Sequence, residues 1–64
     1  MNEDEGVITS PADLADWIAD RMIGDHRSLQ LDDVTSGMRA VNVVEARFLS
    51  GRRFRITVTE EARP

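Results

Sequence analysis

Cysteine, lysine and tyrosine are absent from this chain, and its aromatic complement is one tryptophan and two phenylalanines. Without cysteine there is no disulfide framework and no thiolate for a metal site, so two common staples of small domains are excluded. No apolar run approaches the roughly 20 residues of a membrane-spanning helix. Met1 leads into Asn2-Glu3-Asp4-Glu5, where a secretory leader needs a basic stretch followed by an apolar one. The expectation is a soluble, cytoplasmic protein without membrane attachment. All eight basic residues are arginine. A G+C-rich coding sequence produces the same usage, so the arginine count alone does not indicate phosphate binding.

Recognisable chemistry is equally scarce. Asp25, His26 and Ser28 bring acid, base and nucleophile close in sequence, but near neighbours in a chain rarely converge on one reacting atom, and no oxyanion-forming turn accompanies them. Asp25, His26, Asp32 and Asp33 lack the alternating oxygen ligands and central glycine of a calcium loop. The reading is no catalytic residue, no metal site, no cofactor and no small-molecule substrate. His26 is read as an exposed loop residue next to the helix end.

What is present, over 64 residues, is one small domain without repeats or linkers. A chain of this size buries only about 60% of its unfolded surface, so stability is marginal and self-association is an available staple beside a well-packed monomer. The organising stretch is 38–60, where two β-type runs flank a turn. A two-residue Ser50-Gly51 loop would set Phe54 opposite Arg47 and Ile56 opposite Glu45. A three-residue loop, either Leu49–Gly51 with Gly51 left-handed or Ser50–Arg52, places Val44, Ala46 and Phe48 on one face with Phe54, Ile56 and Val58. The three-residue loop is expected, with that face as the core. The opposite face then carries Arg39, Val41, Val43, Glu45, Arg47 and Leu49, with Arg53, Arg55, Thr57 and Thr59 from the second strand.

Upstream, Met1–Gly6 is acidic, without apolar side chains beyond Met1, and reads as a flexible tail. Val7, Ile8 and Thr9 are β-branched and fit a short first strand, with an apolar lead-in under the helix as the other option. Ser10-Pro11-Ala12-Asp13 is a helix start: a serine cap, proline in the first turn and an acid at the third position. The helix should run to about Ile23, with Gly24 as its left-handed stop. Trp17, Leu14, Ile18, Met22 and Ala15 share its apolar arc, while Asp13, Asp16 and Asp20 form an acidic strip. Arg21 falls beside Trp17, one turn on, where cation and ring can pair. Residues 28–32 read as a short strand, with turn chemistry at Asp32-Asp33 and Thr35-Ser36-Gly37. The expected fold is α+β: one amphipathic helix on a two- to three-stranded antiparallel sheet, in the order β-α-β-β-β if the short first strand forms.

Charge divides the chain. Residues 1–33 hold nine acids and two arginines, and residues 34–64 hold three acids and six arginines, giving −7 and +3. Such asymmetry marks interaction surfaces. The functional expectation is a non-enzymatic protein-binding module, a small acidic accessory or inhibitor protein of the kind that phages and mobile elements encode. Asp13, Asp16 and Asp20 would face a basic site on a target protein, with Trp17 and Leu14 as anchors. Two alternatives use the hairpin's outer face, Arg39, Val41, Val43, Arg47, Arg53 and Arg55: self-association into a homo-oligomer, or nucleic-acid binding. The low pI of 4.7 and the expected lack of an exposed aromatic for base stacking place nucleic acid last.

Overall fold

The computed structural model describes residues 8–62. The acidic stretch Met1–Gly6 and Val7 lie outside the described residues. The elements run α1 (Pro11–Gly24), α2 (His26–Leu29), β1 (Leu31–Ser36), β2 (Val43–Phe48) and β3 (Arg53–Thr57). The fold is α+β: α1 packs on a three-stranded antiparallel sheet of order β1-β2-β3.

Helix α1 begins as its residue types require. Ser10 is the cap, its Oγ accepting the Asp13 N–H at 3.2 Å, and Pro11 occupies the first turn, where its missing N–H costs nothing. Ile8 and Thr9 form no strand. Their physical use is at the cap instead, because the Thr9 N–H and hydroxyl both donate to Asp13 Oδ2, at 3.1 and 2.9 Å.

The end of the helix differs from expectation. Gly24 is helical rather than left-handed, and Asp25 caps α1 with its N–H on the carbonyls of Arg21 and Met22. Residues 26–29 add another helical turn, and the left-handed exit comes at Gln30 (φ 55°). Ser28 and Leu29, expected in a strand, are therefore helical, and β1 starts only at Leu31. It then runs through Asp32-Asp33 and Thr35-Ser36, where turns were expected. The two aspartates are absorbed by a bulge: Leu31 pairs with Phe48 and Asp33 with Arg47. The chain turns after Ser36, with Gly37 at φ 83°.

The hairpin takes the first of the two three-residue loops. Val44 pairs with Ile56 and Ala46 with Phe54, which leaves Leu49, Ser50 and Gly51 as the loop. The Phe48 N–H donates to the Arg52 carbonyl at 2.9 Å, and the Gly51 N–H returns to the Phe48 carbonyl at 2.8 Å. Gly51 sits at φ 94°, a backbone region closed to most other residues.

Parity placed the core face correctly, but not how far it is covered. Val44 (0% exposed), Val34 and Ile56 lie under α1, which meets them through Ala15 (0% exposed) and Ala19, and Ala46 is buried as well. Helix α1 packs mainly on β1 and β2. Phe54 stays 52% exposed at the uncovered end of the third strand, its ring edge-to-face with Phe48 at 5.6 Å. Of the expected apolar arc, Ala15, Ile18 and Met22 pack into the core, while Ala19 joins them and Trp17 does not. Small alanines one turn apart let the helix sit close to the sheet, and the bulky Trp17 is turned outward, 48% exposed.

Candidate functional site

Two charged surfaces lie on opposite sides of the molecule. On the outer side of α1 are Asp13, Asp16 and Asp20, all exposed. Their individual surroundings differ. Asp13 belongs to the helix cap, where the Thr9 hydroxyl, then the Thr9 N–H, hold its carboxyl below the ordinary value of 3.8. Asp16 reaches over the edge of the sheet to accept the Ser36 hydroxyl at 2.6 Å, tying α1 to β1. Asp20 has no hydrogen-bond or ion-pair partner among the described residues. The acidic strip is thus two tethers and one free carboxylate, while all three charges remain at the surface. Trp17 stands among them, with the Arg21 guanidinium 5.6 Å from its ring centroid, the pairing that their spacing predicts.

The sheet face turned away from α1 carries the arginines. Alternation along β1, β2 and β3 puts Asp33 and Thr35, then Val43, Glu45 and Arg47, then Arg53, Arg55 and Thr57 on this face. A shallow hollow of about 480 Å³ lies among Asp33, Glu45, Arg47, Arg53 and Arg55. Two ion pairs cross the face, Arg39 Nε to Glu45 Oε2 and Arg47 Nε to Asp32 Oδ2, each 2.9 Å. Both are solvent-exposed and contribute under about 1 kcal/mol apiece. Arg53 and Arg55 have no carboxylate partner among the described residues. Arg47 and Arg53 are direct cross-strand partners, an unfavourable like-charge pair that the Asp32 carboxylate offsets.

Several residues expected on this face are elsewhere. Arg39 and Val41 belong to the 37–42 loop and Leu49 to the hairpin loop, because β2 extends only from Val43 to Phe48. Arg39 rejoins the face only through its side chain. Val43 is on the open face but is 7% exposed, at the end where the 37–42 loop returns. It is covered by its own chain and offers no surface to a partner. The expected lack of exposed aromatics is also overturned: Trp17 and Phe54 are both half-exposed. Phe54 escaped sequence reasoning because alternation assigns a face without telling whether the helix spans it. Trp17 is on α1, away from the arginines, whereas Phe54 lines their hollow although alternation sends its ring to the other face.

The residues considered for chemistry do not converge. The His26 ring Nδ1 is engaged with the Ile23 carbonyl at 3.0 Å, and the Asp32 carboxylate is held by Arg47. Among the described residues no group of histidine, aspartate or glutamate is arranged to hold a metal ion, and no helix is long and apolar enough to cross a membrane. No family model matches this chain, and no curated protein or solved structure matches it either.

Proposed function

We propose that this protein is a non-enzymatic protein-binding module that docks the outer face of α1 on a basic surface of a partner. The supporting observation is Trp17, half-exposed beside Asp13 and Asp20 on a helix whose packing on the sheet is made by Ala15 and Ala19 with Ile18 and Met22. Packing does not need the tryptophan, and a large amphipathic ring among charges is the residue type that anchors interfaces. The aspartates steer a basic partner and the ring supplies the contact, the division of labour of a small acidic accessory or inhibitor protein. A phage or mobile-element origin rests on size and charge alone.

The test avoids Asp13 and Asp16, whose substitution would also disturb the cap and the Ser36 tether. Trp17→Ala combined with Asp20→Arg should abolish capture of a basic partner from host lysate by the immobilised protein. The melting temperature should move by only a few degrees. Retention of the same partner by this variant would overturn the reading. The nucleic-acid alternative is less favoured: Phe54 lines the arginine hollow, but its ring is engaged edge-to-face with Phe48 on the other face of the sheet.

A further inference from the structure

Strand β3 closes the sheet on one side, and its free edge is aimed at solvent among the described residues. The Arg52 carbonyl accepts the Phe48 N–H of β2, and the Val58 N–H donates to the Asn42 carbonyl just before β2. Alternate residues of an antiparallel strand send both backbone groups to the same side, so residues 52, 54, 56 and 58 face β2 while Arg53, Arg55 and Thr57 point theirs outward. The same three residues turn their side chains to the open, arginine-bearing face. On the other face of the sheet Phe54 is half-exposed, because α1 covers Ile56 but not the Phe54 end of β3.

We propose that this edge binds an extended segment of a partner protein, added as a fourth strand, with acidic residues at alternate positions and apolar residues between them. The backbone groups of Arg53, Arg55 and Thr57 supply the hydrogen bonds, as in other strand-addition complexes. The acidic side chains meet Arg53 and Arg55, which have no carboxylate partner among the described residues, beside the hollow on that face. The intervening apolar side chains cover Phe54. Charge decides between occupants. A second copy of β3 would set arginine against arginine or threonine, so the residues that invite an acidic strand also bar self-pairing.

This surface is separate from the Trp17 face and is tested separately. The probe is a nine-residue peptide of alternating glutamate and valine with blocked ends, titrated into the full-length, isotope-labelled protein at about 0.05 M salt. The control carries lysine in place of glutamate. The glutamate peptide should shift the amides of Arg53, Arg55 and Thr57 and slow their hydrogen exchange, while the lysine peptide should not bind. Thr57→Pro removes one outward N–H without touching a β2–β3 hydrogen bond. Arg53→Gln with Arg55→Gln removes the charge. Each variant should weaken binding about tenfold, and Trp17→Ala with Asp20→Arg should leave it unchanged. Equal binding of the two peptides would overturn the proposal. So would slow exchange of these three amides in the free protein, which would mean that the chain's own ends or a second copy already cover the edge.

Discussion

Ala15 has no rotamer freedom to lose, and its methyl group is pressed fully against the sheet. A larger side chain there lifts the helix. Ala15→Leu should therefore destabilise by about 1–3 kcal/mol, lowering the melting temperature by roughly 4–8 °C per kcal/mol in a domain of this size. Trp17→Ala, which removes far more volume, should cost less, because half of that ring is already in water; calorimetry on both variants checks the order. Asp13 makes a pH prediction whose sign follows from its lowered pKa. The unfolded chain takes up the proton more readily than the folded one. The Thr9–Asp13 contact therefore contributes fully above the ordinary value of 3.8 and is lost as pH falls through the lower folded value. Melting between about pH 2.5 and 6 should show Asp13→Asn with a flatter acid limb than the wild type. An unchanged limb would assign acid sensitivity to other carboxylates.

At the scale of the element, glycines separate what local sequence decides from what it does not. Gly51 is left-handed and Gly24 is helical, and a Cβ at either would meet open space, so backbone conformation alone sets the effect of alanine. Gly51→Ala should destabilise by about 1 kcal/mol, whereas Gly24→Ala should stabilise by about 0.5–1 kcal/mol. Chemical denaturation measures both signs. Equal losses at the two positions would restore Gly24 as a left-handed stop. The hairpin turn was legible because only one loop parity keeps Val44, Ala46, Ile56 and Phe54 on a shared face, and the start of α1 was legible because serine and proline act within one turn. Its end was not. A glycine in the last turn fits both a stop and a continuation, and the continuation through His26–Leu29 is favoured by a left-handed exit at Gln30, a residue type that carries no such signal. That extra turn displaced β1 by several residues, from the expected 28–32 to Leu31–Ser36.

For the whole molecule, the acidic helix and the arginine-bearing sheet face point to opposite sides. The charge division of the sequence therefore becomes two surfaces rather than one internal contact. Light scattering at about 0.1 M salt should report a monomer, since β3 edges repel one another. Association that appears only as salt rises would mark those edges pairing once screened. A dimer at low salt that dissolves at about 0.5 M would instead place the acidic helix on a neighbour's arginines and remove the support for an external basic partner. The sequence by itself determined the α+β class, the helix cap, the parity of the hairpin loop, the Arg21–Trp17 pair and the segregation of charge, because each depends on residues within a few positions or on strand parity. Only the tertiary structure decided that Ala19 joins the helix contact and Trp17 leaves it, that Asp13 and Asp16 are tethers while Asp20 has no partner among the described residues, that Val43 is buried, and that no described residue covers Phe54 fully or pairs with the β3 edge. Those outcomes depend on where a helix with an alanine contact line comes to rest across three strands, and closest packing against β1 and β2 leaves the Phe54 end of the third uncovered.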